Sequence, residues 1–360
     1  MDGGAIIGQG TYGCVFDPPL LCAEAKERRR QRSAKTVGKL TQAEDAENEL
    51  DAAVALYGLP QSNLYFVLPN PKTICKPKEL TKQPGQKDVK RCEAIERFGS
   101  QGMVHFTMPY GGVSIKPYTD TKKPLPEFDF IKRLLEAGSV LALHGYCHFD
   151  IHLGNMLLDS KTGLPRLIDF GMSFSAEGLN MEVIASRMKQ YSPSFYAEPP
   201  EVTVGTGLHE KIPYETVVKE VAMKKETLVL AEKLFGVSRM NQLRDFNKFW
   251  TTSAAVKAND PVKLFKLYWP AFDAWGIGTV IIHLYRNIIT SLKGESDTVK
   301  KLADVKKIVK GLLRMNPRRR LDCLEALDIL DPQNAILQSA SGKEWLKERT
   351  KMRVTIEGSA

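Results

Sequence analysis

Apolar residues recur at intervals of three and four in several long stretches of the chain, and this spacing predicts amphipathic helices. The first stretch, 41–57, has apolar residues at Ala46, Leu50, Ala53, Val54 and Tyr57. Thr41 and Glu44 stand three positions apart, as in a capping box, so we expect this helix to begin there. The second stretch, 127–144, has apolar residues at Phe128, Ile131, Leu134, Leu135, Leu141 and Leu143.

A third helical region lies between Glu201 and Asp273. Its apolar residues at helical spacing are Val217, Val221, Leu228, Leu230, Ala231 and Leu234, followed by Phe246, Phe249 and Trp250. They predict several helices within about 202–265, and the simplest interpretation is a helical subdomain packed on the rest of the C-terminal region. The alternative is a platform for a partner or a substrate.

The N-terminal segment has short apolar runs separated by glycines, which predict strands. The pattern G-x-G-x-x-G-x-V falls on Gly8, Gly10, Gly13 and Val15. Glycines at this spacing allow a hairpin backbone to bring its N–H groups close to phosphate oxygens. A tight hairpin and a dinucleotide-binding turn are the alternatives. The dinucleotide turn requires a helix directly after the glycines, whereas Asp17-Pro18-Pro19 breaks one, so a strand–loop–strand arrangement is favoured.

The next predicted strand, 37–40, contains Lys39. In phosphoryl-transfer enzymes a lysine on such a strand holds the α- and β-phosphates of ATP, and Lys35 is the rival for this role. On the helix that follows, Glu49 can point back at the strand and pair with Lys39, with Glu47 as the alternative. The other interpretation of all four residues is that they are solvated surface side chains.

The strongest chemical signal is the run His148-Phe149-Asp150-Ile151-His152-Leu153-Gly154-Asn155, followed later by Asp169-Phe170-Gly171. Asp150 and Asn155 stand five positions apart, and Asp169 ends an apolar run. This is the spacing of the catalytic loop and the magnesium aspartate in enzymes that transfer the γ-phosphoryl group of ATP. We therefore expect Asp150 to orient the acceptor hydroxyl and take its proton, and Asn155 and Asp169 to bind Mg²⁺.

Together these motifs resemble those of protein kinases. The segment 106–112 resembles the last N-lobe strand and the hinge, so Met108 stands at the gatekeeper position and the backbone around Tyr110 is expected to receive the adenine. Three further elements follow in family order: Pro199-Pro200-Glu201, Asp273-Ala274-Trp275-Gly276-Ile277-Gly278 and Asn316-Pro317-Arg318-Arg319-Arg320. In the family the last of these elements pairs with the first, which implies an ion pair between Arg320 and Glu201.

The resemblance implies an α+β fold with two lobes, as in protein kinases. The small β-rich N-lobe would be residues 1–109, and the larger, mainly helical C-lobe would be 110–360 and contain the helical insertion. The implied activity is phosphorylation of serine or threonine hydroxyls in proteins, with ATP and Mg²⁺ as cofactors. The implied ATP-binding residues are Gly8, Gly10, Gly13, Val15, Lys39, Glu49, Met108 and Tyr110. The implied catalytic residues are Asp150, Lys39, Asn155 and His152.

Some details resemble the serine/threonine kinases of large nucleocytoplasmic DNA viruses more than cellular kinases. They are a Gly-Cys-Val with a following Pro-Pro and Cys, cysteines in an N-lobe insertion, and a Pro-Tyr-Gly-Gly hinge. The residues are Cys14, Pro18, Pro19, Cys22, Cys75, Cys92 and 109–112. This likeness implies the cytoplasm of a host cell as the location, with the virion and the nucleus as alternatives.

Two positions of the loop depart from the protein-kinase pattern. Phe149 replaces an arginine that in many kinases contacts a phosphate on the activation segment, so we expect its ring to pack under the segment 169–201 instead. His152 replaces a lysine that stabilises charge on the γ-phosphate. The resulting His-x-Asp-x-His-x-x-Asn also resembles the loop of aminoglycoside and choline kinases.

These departures keep three other functions open. A small-molecule phosphotransferase is one, and a pseudokinase that serves as a binding module is the second. The third is a metal-dependent hydrolase with His148, Asp150 and His152 as ligands, although Asn155 and Asp169 would then have no role.

The composition suits a two-lobed enzyme of 360 residues, expected to be a monomer. The net charge is +9, and the densest basic run, 26–32, is expected to be a solvated loop, with nucleic-acid binding as the less favoured alternative. A tract rich in lysine and proline, 69–86, is expected to be an exposed loop. The chain has no run of about 18 apolar residues and no signal segment at its start, so we do not expect a membrane-spanning or secreted protein.

Six cysteines are spread along the chain without Cys-x-x-Cys spacing. This distribution argues against zinc and against a disulfide framework, and it predicts reduced thiols. Pairing of Cys75 with Cys92, or of Cys14 with Cys22, is the alternative.

Overall fold

The computed structural model describes residues 5–10, 13–23, 35–79, 89–119, 125–188, 190–291 and 298–357. In these residues an antiparallel sheet of four strands lies near the N-terminus and most of the remainder is helical, which confirms the α+β class. The chain divides into two compact units. The first comprises Met1–Gly112 and Arg166–Ser173, and the second comprises Val113–Pro165 and Phe174–Ala360. The first unit thus takes a short segment, Arg166–Ser173, from the middle of the chain.

The described strands are β1 Ala5–Gln9, β2 Gly13–Asp17, β3 Thr36–Gln42, β4 Met103–Pro109, β5 Val113–Ser114, β6 Tyr146–Cys147, β7 Met156–Leu158, β8 Pro165–Leu167 and β9 Phe174–Ser175. In the first unit the sheet has the order β1-β2-β3-β4, with all neighbours antiparallel. In the second unit β5 pairs with β7, and β6 pairs with β9. The strand–loop–strand arrangement at the glycines and the strand around Lys39 are therefore confirmed.

The helices of the first unit and the start of the second are α1 Ala43–Tyr57, α2 Ser62–Tyr65, α3 Glu93–Phe98, α4 Lys116–Thr119, α5 Glu127–Leu143 and α6 Met181–Arg187. Those that follow are α7 Pro200–His209, α8 Tyr214–Lys224, α9 Glu226–Phe235, α10 Arg239–Thr252, α11 Ala254–Lys257, α12 Pro261–Tyr268, α13 Pro270–His283, α14 Tyr285–Ser291, α15 Thr298–Leu312, α16 Cys323–Leu330, α17 Ala335–Gln338 and α18 Ala340–Glu357. Short 3₁₀ turns occur at Pro71–Thr73, Leu153–Asn155 and Phe170–Met172.

The sheet of the first unit has an apolar cluster on each face, because successive residues of a strand point to opposite sides. Cys14 and Phe16 of β2 belong to one cluster, with Leu40 of β3. Val15 packs against the other, which contains Val37 and Phe106. Helix α1 contributes Ala46 and Leu50 to this second cluster, so the helix is held against the strand that carries Lys39.

The predicted start and apolar face of α1 need correction. Thr41 belongs to β3 and the helix begins at Ala43, whose N–H donates to the Gly102 carbonyl, so the predicted capping box is wrong. Val54 and Tyr57 are 65 % and 55 % exposed, so they do not belong to the buried face. That face contains Ala52 and Leu56 in addition to the predicted Ala46, Leu50 and Ala53.

The prediction of reduced thiols is wrong for four of the six cysteines. Disulfides join Cys14 to Cys92 and Cys22 to Cys75, across sequence separations of 78 and 53 residues. Neither matches the pairs considered from the sequence, which joined neighbours along the chain. The remaining two, Cys147 and Cys323, are free and buried.

The second unit is organised around α13, in which every residue from 271 to 282 is buried. The predicted helix 127–144 is confirmed as α5, which ends one residue earlier. The predicted helical insertion is confirmed as α7 to α12, and it packs within this unit. For example, the Gln242 side chain of α10 donates to the Leu313 carbonyl, and the Asn316 amide donates to Asp245.

Two sequence predictions fall wholly or partly outside the described residues. The basic run 26–32 lies outside them, and so do residues 80–86 of the Lys- and Pro-rich tract. The described part of that tract includes the turn Pro71–Thr73 and a bridge between Cys75 and His105, so it is more regular than the predicted loop. Among the described helices none has the length and apolar character needed to span a bilayer.

Candidate functional site

Lys39, Glu49 and Asp169 form a charged cluster within the first unit. Lys39 lies in the middle of β3, opposite Val15 and Phe106, and α1 begins four residues after it. Its Nζ donates to Glu49 Oε2 at 2.6 Å and to Asp169 Oδ1 at 3.0 Å. Burial alone would lower the pKa of Lys39, but the carboxylates of Asp169 and Glu49 outweigh burial and raise it. Lys39 is therefore a fixed cation held between two acids.

The alternative residues from the sequence, Lys35 and Glu47, do not form such a buried ion pair. Lys35 pairs with Asp17 at 3.3 Å with its side chain 58 % exposed, and its Nζ lies over the Tyr110 ring. Glu47 is exposed, whereas Glu49 is buried. The structure thus forms the predicted pair of Lys39 with Glu49.

Asp169 combines a constrained backbone with an accessible carboxylate. Its φ of 64° lies in the left-handed region, which a non-glycine residue rarely adopts. Phe170, which follows it, is fully buried and packs edge-on against Phe66 within the first unit. The Asp169 side chain is nevertheless 45 % exposed, so its carboxylate can meet a ligand while its backbone is held.

The glycine-rich loop is shaped by close backbone contacts. Gly8 pairs with Val15 across the hairpin, and the Gly10 N–H donates to the Gly13 carbonyl at 2.9 Å. A Cβ on Gly13 would lie 2.6 Å from the Leu40 carbonyl oxygen, so only glycine fits there. The tip residues, Thr11 and Tyr12, lie outside the described residues.

Met108 and Tyr110, predicted to surround the adenine, lie at the end of β4. Met108 is buried opposite Val37. The Tyr110 N–H donates to the Lys35 carbonyl at 2.9 Å, so this N–H is already used.

The loop 148–155 in the second unit is fixed by Asp273 at the start of α13. The Asp273 carboxylate accepts hydrogen bonds from the N–H groups of His148 and Phe149, both at 2.8 Å. Phe149 has a φ of 68°, and these bonds stabilise that left-handed conformation. Burial raises the pKa of Asp273, and the N–H donors oppose the rise.

Asp150 and Asn155 meet at the other end of this loop. The Asn155 Nδ2 donates to the Asp150 carbonyl at 3.0 Å and to Asp150 Oδ2 at 2.9 Å. In the part of the chain that the structure describes, the amide oxygen of Asn155 makes no hydrogen bond. Asp150 keeps a side chain that is 30 % exposed, with one carboxylate oxygen oriented by Asn155.

His152 lies beside Asp150 and faces aromatic rings. Its Nδ1 accepts from the Gly154 N–H at 2.9 Å, so a neutral ring carries its proton on Nε2, which is 3.6 Å from Asp150 Oδ2. A Cβ on Gly154 would lie 2.5 Å from the ring. Phe195 and Tyr196 contact the ring edge-on. His148 is instead fully buried, and the ligand atoms of His148, Asp150 and His152 are not among the described groups that converge as a metal site.

The Phe149 ring lies in an aromatic cluster with Phe174, Phe265 and Phe272, with ring centroids 5.5 to 6.0 Å apart. Phe174 belongs to β9, within the segment 169–201, so the predicted packing of Phe149 on that segment is present. Phe265 comes from the helical insertion. Phe149 therefore holds this segment by apolar contact.

Sequence reasoning missed Lys225, a fully buried lysine between α8 and α9. Its Nζ donates to the carbonyls of Phe195 and Glu198 at 2.6 and 3.1 Å and to Thr203 Oγ1 at 3.1 Å. Burial lowers the pKa of Lys225 to about 8, and the carboxylates of Glu198 and Glu201 oppose that shift. The sequence does contain a signal for its burial. Lys225 follows Val217 and Val221 at the same four-residue spacing, on a helix face that is otherwise apolar.

Two more donors hold the same segment. The Thr227 hydroxyl and the Trp275 indole N–H both donate to the Tyr196 carbonyl at 3.1 Å. The segment 195–198 beside His152 is thus fixed by the insertion and by α13. The donors that hold this segment, Lys225, Thr227 and Trp275, do so without a phosphate on the segment.

The predicted pair of Arg320 with Glu201 is confirmed. The guanidinium donates to both carboxylate oxygens, at 2.8 and 2.7 Å, and both residues are buried. It also donates to the carbonyls of Ala271, Arg314 and Met315 and lies over the Trp275 ring.

No protein-family model matches the chain.

Proposed function

We propose that the protein is an ATP- and Mg²⁺-dependent kinase that phosphorylates serine or threonine hydroxyls of proteins, on a kinase-like fold. The observation that carries the proposal is the charged cluster of Lys39, Glu49 and Asp169. A buried ion pair is costly unless its charges are well compensated, and here one of the two acids is left accessible. Such a cluster is suited to a polyanion with a metal ion.

The oxygen donors support Mg²⁺ as the metal. Within the first unit Asp169 offers a half-exposed carboxylate, and Mg²⁺ prefers oxygen ligands supplied by a few protein groups together with phosphates. The resemblance of the loop 148–155 to that of kinases adds Asn155 as the second expected ligand. When bound, Mg²⁺ would neutralise charge on the β- and γ-phosphates. Lys39 would donate to the α- and β-phosphates, and the backbone N–H groups of the loop 8–13 would cover them.

Asp150 would act on the acceptor. Asn155 holds one of its carboxylate oxygens, so the other would accept the hydrogen bond of the acceptor hydroxyl. As the hydroxyl oxygen bonds to the γ-phosphorus, the bond from that phosphorus to the bridging oxygen of ADP breaks, and the hydroxyl proton passes to Asp150 late. His152 Nε2–H faces Asp150, so this residue would orient the carboxylate.

A protein acceptor is favoured by the anchored segment 195–198. A segment fixed by three donors beside the catalytic loop offers a rigid edge for an extended peptide. A small-molecule acceptor would instead need a closed pocket of its own.

The test is transfer of labelled phosphate from ATP to three kinds of acceptor: basic proteins, a peptide array, and small aminoalcohols and aminoglycosides. We expect Mg²⁺-dependent labelling of serine or threonine in the first two. Labelling of the small molecules alone would replace protein with metabolite as the acceptor. ATP binding without transfer to any of them would make the protein a binding module and contradict the proposal.

A further inference from the structure

Cys22, Cys75 and His105 bring three metal-binding side chains together in the first unit. Cys75 lies opposite His105 in an antiparallel bridge, with N–H to carbonyl distances of 2.8 Å in both directions. Cys22 pairs with Pro77, two residues further along the same segment. The two sulfurs and a ring nitrogen of His105 lie within 4.8 Å of one another.

In the part of the chain that the structure describes, the His105 ring makes only one weak polar contact. Its Nδ1 lies 3.8 Å from Cys75 Sγ, and its Nε2 is buried without a partner among the described residues. A Cβ on Gly38 would lie 2.0 Å from Nε2, so the sequence keeps a glycine where the ring must fit. A disulfide sulfur is a weak acceptor, so the disulfide alone does not account for an imidazole buried against it.

The other disulfide shows what a purely structural pair looks like here. Cys14 and Cys92 are both fully buried in the apolar cluster with Phe16 and Leu40. Cys22 and Cys75 are instead partly exposed. A small reductant can therefore reach the second pair much more easily than the first.

We propose that Cys22, Cys75 and His105 form a site for a thiophilic divalent cation such as Zn²⁺ when the Cys22–Cys75 disulfide is reduced. Two equivalents of a small thiol supply two electrons and two protons, break the S–S bond and leave as their own disulfide. Each cysteine thiol then releases its proton as its sulfur binds the metal, whose oxidation state does not change.

The geometry suits such an ion. With Zn–S near 2.3 Å and Zn–N near 2.0 Å, tetrahedral ligand atoms are about 3.5 to 3.8 Å apart. Cys75 Sγ and His105 Nδ1 are already 3.8 Å apart, and Cys22 Sγ lies within 4.8 Å of the other two ligand atoms, so small adjustments would place all three around one ion. Water would take the fourth position. The metal would thus keep residues 22 and 75 linked in reducing surroundings, where the disulfide is lost.

Co²⁺ is the probe for this site, because thiolate-bound tetrahedral Co²⁺ has charge-transfer and ligand-field bands. We expect the full chain, reduced with a phosphine that is then removed, to bind one equivalent and to release it to Zn²⁺. Cys22→Ser and Cys75→Ser should abolish the charge-transfer band, and His105→Gln should weaken binding by about tenfold or more. Circular dichroism checks that each variant is folded.

The matched control is the variant Cys147→Ala with Cys323→Ala, which removes the two free thiols and should leave Co²⁺ binding unchanged. Three results would overturn the proposal: no band in the reduced wild type, a band that survives in folded Cys22→Ser and Cys75→Ser, or an affinity that His105→Gln does not change. The first would leave the pair as a disulfide only, and the second would assign the metal to other thiols.

Discussion

Two buried ion pairs, Lys39 with Glu49 and Arg320 with Glu201, differ in the number and the burial of the acceptors that each cation contacts. Arg320 is fully buried and donates to three backbone carbonyls in addition to both oxygens of Glu201. Among the described residues Lys39 donates only to carboxylates, and one of them, Asp169, has a side chain that is 45 % exposed. Arg320 therefore has all of its donors directed at buried protein acceptors. Lys39 can exchange the accessible Asp169 carboxylate for a ligand.

The comparison separates stability from chemistry. Removing one member of a closed pair leaves an uncompensated charge and unpaired carbonyls, so the cost falls on folding. Removing Lys39 leaves Asp169 able to regain water, and the buried Glu49 can take up a proton because burial raises its pKa to about 7. We therefore expect the larger cost to fall on the proposed binding of phosphate. Substituting methionine for each cation therefore tests whether Arg320 acts mainly on folding and Lys39 mainly on activity.

Arg320→Met is expected to have the largest effect on folding. It leaves Glu201 and three carbonyls without their donor inside the second unit, which should lower the free energy of unfolding by about 3 to 5 kcal/mol. Denaturant unfolding measures the change. A loss below about 1 kcal/mol would mean that the pair behaves like a surface salt bridge.

Lys39→Met is expected to remove activity with a smaller loss of stability. Losing one preorganised donor to the phosphates should lower turnover by about 10² to 10³-fold. Lys35→Met is the control and should change neither turnover nor stability, because Lys35 is exposed. If Lys35→Met proved to be the inactive variant, the assignment of the phosphate lysine would be wrong.

Lys225→Met should act through the segment 195–198. Loss of its three hydrogen bonds frees the carbonyls of Phe195 and Glu198, so the KM for a protein acceptor should rise by roughly tenfold, as for about 1.4 kcal/mol, while the KM for ATP is unchanged. Lys224→Met is the neighbouring control, since that side chain is 56 % exposed. Equal changes in both KM values would indicate a general loss of structure.

Phosphorylation of the segment should have the smallest effect, because Phe149 and Lys225 hold it without a phosphate. Phosphatase-treated protein is expected to keep its activity within about twofold, a difference under 1 kcal/mol. Alanine at the segment serines together with Tyr191→Phe should cost equally little; the serines are Ser173, Ser175, Ser186, Ser192 and Ser194. Activity that disappears on dephosphorylation and returns on rephosphorylation would refute this view.

Periodicity and glycine spacing predicted several elements of the fold. The strand around Lys39, the helix 127–144 and the helical insertion follow from local patterns, and each was found close to its predicted bounds. The predicted start of α1 was wrong because Thr41 pairs in the sheet, and tertiary contacts override a local capping signal.

Contacts between distant residues were predictable only where a motif linked them. Glu201 and Arg320 were paired through such a motif. The disulfides were not, because cysteine spacing does not determine connectivity. The role of Lys225 was not predictable, because a lysine is usually expected at the surface and its three acceptors lie 22 to 30 residues away in the sequence.

The central claim is that Asp150 orients the acceptor hydroxyl and takes its proton during transfer of the γ-phosphoryl group of ATP. The most direct test compares wild type with Asp150→Asn in a Mg²⁺-dependent transfer assay, with ATP affinity measured in parallel. The account predicts a fall in transfer of about 10² to 10⁴-fold with ATP affinity nearly unchanged. Transfer by Asp150→Asn at close to the wild-type rate would contradict it.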